Sequence, residues 1–288
     1  MWLSGTTTEA ATLPECIVPY PVRLFSGTRT LETTQRKDFG QLINRVPEVT
    51  LVFWILKILA TTVGETAADV LSTTFKLGTV ITSYVMAVLL LISLAFQLKV
   101  KRYVPPIYWI VVVFISVVGT LISDNLVDNL GVPLGTTTLI FSVALAAVFV
   151  FWYLSEKTLS VHTIYTLRRE LFYWAAILFT FSLGTSGGDL LSESLGVGYA
   201  LSGVIFAAGI ALIYAAYRLK SFNEVLAFWL AYILTRPLGA SIGDLLTQPR
   251  TEGGLNLGTI PVSAVFLLLI VVLVVRLTRE EKKRVTSL

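Results

Sequence analysis

The chain has 288 residues, of which 55% are hydrophobic and 14% are charged, and its formal net charge is +4. This composition excludes an ordinary soluble globular domain and is typical of a protein that lies in a lipid bilayer. A single cysteine, Cys16, excludes an intramolecular disulfide, and His162 is the only histidine of the sequence.

Residues 1–45 differ in composition from the rest of the chain. They are rich in Thr, Glu, Pro and Arg and contain no apolar run of the kind that a signal peptide needs. We predict a polar cytoplasmic N-terminal tail over this range, partly disordered, with a short amphipathic or strand-like segment around residues 16–25. A translation start further downstream is an alternative interpretation for part of the range.

One sequence unit recurs four times after residue 45. Each copy has an aromatic residue followed by tryptophan, a glycine ten residues after the tryptophan and an aspartate fifteen residues after it, with no gap. The tryptophans are Trp54, Trp109, Trp174 and Trp229; the glycines are Gly64, Gly119, Gly184 and Gly239; the aspartates are Asp69, Asp124, Asp189 and Asp244. Self-similarity at such a period indicates a protein built from internal repeats.

Each repeat contains two apolar stretches long enough to cross a bilayer, which needs about 20 helical residues. The predicted spans are 46–70 and 79–98, 105–127 and 135–154, 170–192 and 198–217, and 223–246 and 259–277. We therefore predict an all-α polytopic membrane domain over residues 46–277 with eight transmembrane helices, in repeats at about 46–98, 105–154, 170–217 and 223–277. Residues 278–288 are predicted to be a basic cytoplasmic tail.

The distribution of Lys and Arg predicts the orientation. These residues are concentrated between the repeats and at the chain ends, whereas the loops inside the repeats contain only Lys76 and Arg250. By the positive-inside rule, both termini and the loops between repeats are cytoplasmic. An even number of spans separates the repeats, so all four have the same orientation, with pseudo-symmetry about the membrane normal. The tryptophans are 55, 65 and 55 residues apart, which indicates a duplicated pair.

The repeated aromatic and small residues have structural interpretations. We predict that each tryptophan and the aromatic residue before it anchor a helix at the cytoplasmic interface. Each repeated glycine is followed four residues later by Ala, Ser or Gly, and such pairs let membrane helices approach closely. Gly64, Gly119, Gly184 and Gly239 are therefore predicted helix-packing residues.

The repeated aspartates carry the functional hypothesis. Fifteen helical residues rise about 22 Å, so each aspartate lies in the outer half of the bilayer or at its edge. Acids at this depth are costly and usually face a polar cavity or an ion path. With oxygen-bearing residues of the same helix faces, the predicted cation-binding set is Glu65, Asp69, Asp124, Asp189, Asp244, Thr61, Thr62, Ser116, Thr120, Ser182 and Thr185. The alternative is that each aspartate caps or stops a helix near the outer surface, or pairs with a loop residue.

Two basic residues interrupt the apolar stretches. Lys57 and Arg236 have no charged counterpart in the other repeats, and we expect them to pair with a buried carboxylate, Glu65 or Asp69. The alternative for Lys57 is that its ammonium reaches the cytoplasmic interface. Arg236 lies deeper and precedes a helix-kinking proline, Pro237, so pairing is the better interpretation there.

The ligand types narrow the chemistry. The repeated pattern offers carboxylate and hydroxyl oxygens without His or Cys, which suits Mg²⁺, Ca²⁺, Mn²⁺, Na⁺ or H⁺ and argues against copper and zinc. The predicted metal ligands are Glu65, Asp69, Asp124, Asp189 and Asp244. His162 is interpreted as an ordinary loop histidine. No nucleotide-binding loop, Ser/His/Asp set or metalloprotease motif is present, so we expect neither enzymatic activity nor a cofactor.

The chain also resembles a known family. The resemblance rests on Val46 to Thr50 and Trp54, on residues 57–62 and 64–69, and on the four copies over residues 46–277. It is similar to bacterial multi-pass proteins described as uncharacterised membrane-anchored proteins, built from four tandem two-helix repeats of unknown function. The resemblance implies a bacterial inner-membrane location and eight helices, and it implies no activity. Residues 1–40 fall outside it.

The sequence thus favours a membrane transporter for a hard cation, first of all a Mn²⁺- or Mg²⁺-like divalent metal exporter coupled to protons. One alternative is a cation or proton channel in which four aspartates ring an axis. Another is a non-transporting protein, either an assembly partner or a small lipid-modifying enzyme. The expected partners are the lipid bilayer and a hard cation or protons, without nucleic acid, and an oligomer is compatible with such a bundle. Repeat 4 has Ala240 where repeat 1 has Glu65, so we do not expect the four copies to be equivalent.

Overall fold

A computed structural model describes residues 44–286, and all but two residues of the predicted N-terminal tail lie outside this range. The described residues form eight α-helices and no β-strand. The helices are α1 (Leu51–Asp69), α2 (Gly78–Lys99), α3 (Pro105–Asp124), α4 (Leu134–Glu156), α5 (Leu167–Asp189), α6 (Tyr199–Arg218), α7 (Glu224–Thr247) and α8 (Thr259–Thr286). The prediction of an all-α fold with two helices in each repeat is confirmed.

The helix boundaries follow from local chemistry. The side chains of Thr50, Thr166 and Asn223 each accept a hydrogen bond from a backbone amide in the first turn of α1, α5 and α7, and α3 begins at a proline. The first helix therefore starts at residue 51 rather than at 46. The last helix continues to Thr286, well past the predicted end at 277, so most of the predicted basic tail is helical.

Seven of the eight described helices are long and apolar enough to cross a membrane. The exception is α5, whose first turn contains Arg168, Arg169 and Glu170 and whose last turns are rich in Gly, Ser and Thr. With 23 residues, α5 nevertheless has the length of a span. The protein is therefore a membrane protein. Length and composition support seven of the eight predicted spans, and the crossing by α5 stays a prediction.

The first helices of the four repeats form a closed ring. In this ring α1 packs on α3, α3 on α5, α5 on α7, and α7 on α1. Each second helix packs outside the ring, on the first helix of the following repeat: α2 on α3, α4 on α5, α6 on α7, and α8 on α1. Every repeat thus packs against its neighbour. One two-helix unit alone would leave a large apolar face uncovered.

The repeated aromatic pairs form a layer inside this ring. In every repeat the aromatic residue before the tryptophan contacts the tryptophan of the next repeat. The ring centroids are 5.9 Å apart for Phe53 and Trp109, 5.4 Å for Tyr108 and Trp174, 6.2 Å for Tyr173 and Trp229, and 5.7 Å for Phe228 and Trp54. Trp109, Trp174 and Trp229 are only 2–4% exposed. The prediction of tryptophan anchors at the lipid interface is therefore wrong for these three, because aromatic contacts between repeats hold their rings inside. Trp54 is only partly buried.

The repeated glycines lie where neighbouring ring helices touch. Each one faces the residue seven places after the next tryptophan, in the pairs Gly64 with Ser116, Gly119 with Phe181, Gly184 with Arg236, and Gly239 with Thr61. Equivalent residues thus meet in both the aromatic and the glycine layers, so the four ring helices run in the same direction. We call the two ends of the ring the tryptophan end and the aspartate end.

Replacing Gly119 by Ala is expected to lower the free energy of unfolding by about 1–3 kcal/mol, the usual cost of overpacking. A Cβ at this position would lie 2.6 Å from the Cβ of Phe181 and 3.2 Å from the backbone nitrogen of Ser182, so α3 and α5 would have to separate. The measurement is the thermal unfolding midpoint of the purified protein in detergent. The control is Gly135→Ala in α4, where a Cβ meets open space and helix propensity improves. Equal midpoints for the two variants would contradict the close-packing role.

Candidate functional site on the axis of the helix ring

The interior of the ring becomes polar between the glycine layer and the aspartate end. Eleven residues after each tryptophan stand Glu65, Thr120, Thr185 and Ala240, and all four are buried. Repeat 4 therefore has a small apolar residue where the other repeats have an oxygen-bearing one. The same repeat contributes Arg236, one turn earlier on α7, and Arg236 is fully buried.

The guanidinium of Arg236 contacts all three other ring helices. Its Nη2, which has two N–H groups, lies within hydrogen-bond distance of three acceptors: the Oε2 of Glu65 at 2.9 Å, the Oγ1 of Thr185 at 2.8 Å, and the Oγ1 of Thr120. Its Nη1 donates to the backbone oxygen of Thr61 at 3.1 Å. The structure thus places Arg236 beside Glu65, one of the two acids that the sequence suggested for it. The ion pair lies in a low-dielectric interior, where losing one partner would leave a costly unpaired charge.

Lys57 lies closer to the tryptophan end and has neutral partners. Its Nζ donates to the backbone oxygen of Tyr232 at 3.0 Å and to the Oγ1 of Thr235 at 2.6 Å. The same atom lies 3.8 Å from the ring centroid of Tyr232 and 5.1 Å from that of Phe181, which adds cation–π stabilisation. Both interpretations of Lys57 from the sequence are therefore corrected. It pairs with neither Glu65 nor Asp69 in the described range, and at 1% exposure it does not reach an interface.

The four repeated aspartates lie together at the aspartate end. Asp69, Asp124 and Asp189 are the last residues of α1, α3 and α5, and each is followed by a five-residue π-helical turn. Such turns are rare and occur frequently at functional sites. Asp244 lies three residues before the end of α7, which has no π-helical turn. Asp244 is buried, whereas the other three are partly exposed.

These aspartates have no direct partners. Within residues 44–286, none of the four carboxylates makes a hydrogen bond or an ion pair. Each of the three that precede a π-helical turn also provides no side-chain cap for it. All four interact electrostatically with Glu65. The alternative in which the aspartates are capping residues is therefore not supported by any contact of their side chains.

The remaining predicted oxygen ligands divide into two groups. Thr120 and Thr185 contribute hydroxyls to the Arg236 cluster, whereas Thr61 contributes its backbone oxygen. The hydroxyls of Thr61 and Thr62 donate to the backbone oxygen of Ile58 within their own helix. Two further predicted ligands, Ser116 and Ser182, are buried, and their Oγ atoms have no hydrogen-bond partner in the part of the chain that the structure describes.

A preformed metal cage is absent from the described residues. No group of three or more His, Cys, Asp or Glu side chains within residues 44–286 could hold a metal ion. The five predicted metal ligands, Glu65, Asp69, Asp124, Asp189 and Asp244, are therefore near one another without converging on one point. Mg²⁺ commonly binds one or two carboxylates and keeps several waters, so separate carboxylates still suit such an ion. The metal site stays a prediction.

A second buried acid, which the sequence pattern did not predict, lies at the tryptophan end. Glu170 is fully buried; its Oε2 accepts from Arg45 at 2.6 Å and its Oε1 from the amide of Gln97 at 2.9 Å. The signal was an acid four residues before Trp174, at the start of an apolar run and directly after Arg168 and Arg169. His162 is a loop residue, as expected, and its Nε2 lies 3.0 Å from an exposed carboxylate of Glu224.

Comparison with known proteins identifies the repeat unit. The family model described as Repeat of Unknown Function (DUF347) matches residues 52–103, 107–158, 172–221 and 227–283. Every match starts two residues before a repeated tryptophan and covers most of both helices of a repeat. No curated protein and no solved structure matches the chain. The chain therefore belongs to the Repeat of Unknown Function family, and it contains four consecutive copies of that repeat.

Proposed function

We propose that the protein is a membrane transporter for a hard cation, first of all a divalent metal ion of the Mn²⁺ or Mg²⁺ type, exchanged for protons. The observation that carries the proposal is the set of four aspartates at one end of the helix ring, which have no direct partners within residues 44–286. Unpaired carboxylates at membrane depth cost stability, and they are typical of paths for ions and protons. Export is the direction we propose.

In the proposed topology all eight helices cross a bacterial inner membrane, with the tryptophan end in the cytoplasm. The basic loops between repeats favour this orientation. A contact of 2.7 Å between Arg284 and Glu48 holds the two ends of the described chain on one side, as an even number of spans requires. The four repeats are then related by a pseudo-fourfold axis along the membrane normal, which is also the axis of the ion path.

The filled axis favours a transporter over an open channel. An open channel needs a continuous hydrated path. Here the aromatic layer fills the ring at the tryptophan end, and the Arg236 and Glu65 pair lies between that layer and the aspartates. A cation that enters at the aspartate end therefore passes only after this pair and the ring helices rearrange.

Exchange with protons follows from the chemistry of the acids. A carboxylate can hold a proton or contact a cation through the same oxygen atoms, so the two compete. A cation that binds at the aspartates displaces protons, and protons that return release the cation. Oxygen ligands select hard ions, which is why Mn²⁺ and Mg²⁺ come before zinc and copper.

Flux measurements in proteoliposomes test this proposal. Uptake and efflux of Mn²⁺, Mg²⁺, Ca²⁺ and Na⁺ are measured with the ion on either side, for the wild type beside Asp124→Asn. The matched control is Asp128→Asn, since Asp128 is an exposed acid one turn further along the same segment. We expect flux of a divalent ion that Asp124→Asn abolishes and Asp128→Asn preserves.

Two outcomes would overturn the proposal. Absence of flux for every ion, with folded wild-type protein in the bilayer, would favour a non-transporting role. Flux that does not depend on any counter-ion would instead favour the channel.

A further inference from the structure

We infer that Arg236 is the tethered occupant of a cation site on the ring axis, and that this site binds a free guanidinium ion when the arginine side chain is removed. The binding site does not depend on transport. A second part of the inference, that Arg236 gates the ion path, rests on the proposed function. The site and the gate are therefore tested separately below.

The site is defined by oxygen atoms that converge from three helices. They are one carboxylate oxygen of Glu65 on α1, the hydroxyls of Thr120 on α3 and Thr185 on α5, and the backbone oxygen of Thr61. All four residues are buried. One anionic and three neutral acceptors around a planar group with several donors suit a monovalent guanidinium-type cation.

The fourth repeat differs from the others in a way that fits a tethered occupant. At the position equivalent to Arg236 the other repeats have Thr61, Ser116 and Phe181. Where repeat 1 has Glu65, repeat 4 has Ala240, which is small and leaves room beside the guanidinium. Repeat 4, which supplies the arginine, is thus the one repeat that has no side-chain oxygen at the position equivalent to Glu65.

The stem of Arg236 passes α5 at Gly184. A Cβ added at Gly184 would lie 2.5 Å from the Cβ of Arg236, a close approach of neighbouring helices that every repeated glycine allows. Pro237 follows inside α7, and a proline there removes one backbone hydrogen bond of the helix. The helix is therefore less rigid directly beside the arginine.

Hydrogen-bonding capacity remains unused around the site. The Nε of Arg236 and the hydroxyls of Ser116 and Ser182 are buried and have no hydrogen-bond partner among the described residues. A purely structural ion pair would be expected to satisfy the polar groups around it. These unused donors and acceptors lie at the same level of the ring as the guanidinium. They give it alternative hydrogen-bonding positions, which a side chain that moves requires.

The gating step follows from these contacts. Glu65 is the one carboxylate that hydrogen-bonds Arg236 within the described residues. When an arriving cation contacts that carboxylate, the attraction between the two side chains falls, and the guanidinium is freed to leave the axis. The arriving cation then replaces the tethered one.

The binding part is tested with guanidinium chloride at millimolar, non-denaturing concentrations. Thermal unfolding midpoints in detergent are compared for Arg236→Ala, the double variant Arg236→Ala/Glu65→Gln, and the wild type, with ammonium chloride and sodium chloride as ionic-strength controls. We expect guanidinium alone to raise the midpoint of Arg236→Ala in a saturable manner. The wild type, whose site is filled, and the double variant, which lacks the carboxylate, should show no such rise.

A folded Arg236→Ala protein without this saturable rise would overturn the inference, and so would an equal rise in the double variant. If Arg236→Ala yields no folded protein in ordinary buffer, we expect purification in guanidinium chloride to recover monodisperse protein and purification in ammonium chloride to fail. Recovery in neither salt, or equal recovery in both, would also overturn it.

The gate has its own readout. In proteoliposomes, Arg236→Ala should transport the cation with a weaker dependence on the counter-ion than the wild type, and millimolar guanidinium should restore that dependence. Guanidinium binding to a variant whose counter-ion dependence equals that of the wild type would overturn the gate and leave the site in place. Failure of the wild type to transport any ion would overturn the proposed function without affecting the binding result.

Discussion

Replacing Glu65 by Gln is expected to lower the free energy of unfolding by about 3–5 kcal/mol, the usual cost of breaking a buried ion pair from one side. The variant leaves the Arg236 guanidinium fully buried without a carboxylate within hydrogen-bond distance in residues 44–286. A guanidinium cannot lose its proton in a protein, so the charge stays. Reversible unfolding in detergent micelles, followed by thermal or denaturant titration, measures the loss.

The converse variant, Arg236→Gln, is expected to cost less, because it leaves no group with a permanent charge at the site, whereas Glu65→Gln leaves the guanidinium. The double variant should recover much of the loss, since it removes both charges, and the two effects should be strongly non-additive. The control is Glu224→Gln, at an exposed carboxylate whose replacement should change stability by less than about 0.5 kcal/mol. Additive losses in the double variant would contradict the axial ion pair.

The second large effect concerns the aspartates, whose replacement is expected to raise stability, whereas replacement of Glu65 lowers it. Converting Asp69, Asp124, Asp189 and Asp244 together to Asn is expected to abolish cation flux. The same change should raise the thermal unfolding midpoint, because it removes like charges near Glu65 that have no direct partner within the described residues. Functional acids that are destabilising in the folded state commonly show this opposition between stability and activity.

Comparison with the single variants separates the two interpretations of the aspartates. Each single Asp→Asn change should reduce flux by at least about tenfold, which corresponds to about 1.4 kcal/mol. If the aspartates instead capped or stopped their helices, each change would lower the midpoint by about 1 kcal/mol of stability and leave flux intact. A lower midpoint with unchanged flux would therefore favour the structural role.

Much of the fold could be predicted because the repeat unit has no gap. The spacing from tryptophan to glycine to aspartate sets the helix phase, so the small residues at Gly64, Gly119, Gly184 and Gly239 could be placed at helix contacts. The same phase put Arg236 within reach of Glu65. Periodicity thus predicts which residues of neighbouring helices lie at the same level when the repeats are parallel.

The partners across the ring could not be predicted from the sequence. Apolar composition does not distinguish packing of α2 on its own repeat from packing on α3, since both bury similar surfaces. The interior position of Trp109 was missed for the same reason, because an aromatic residue near a helix start is equally typical of a lipid interface. A carboxylate partner was predicted for Lys57. Its observed contacts are the rings of Tyr232 and Phe181, which belong to other repeats, and the sequence alone does not show that they lie beside it.

The measurement that tests the central claim most directly records metal and proton movement together. Proteoliposomes loaded with a Mn²⁺ indicator and a pH indicator are given a Mn²⁺ gradient at clamped membrane potential, for the wild type, Asp124→Asn and Asp128→Asn. We predict Mn²⁺ flux with protons moving in the opposite direction in the wild type and in Asp128→Asn, and neither movement in Asp124→Asn. Mn²⁺ flux that persists in Asp124→Asn, or no flux by folded wild-type protein, would contradict the claim that these aspartates exchange a hard cation for protons.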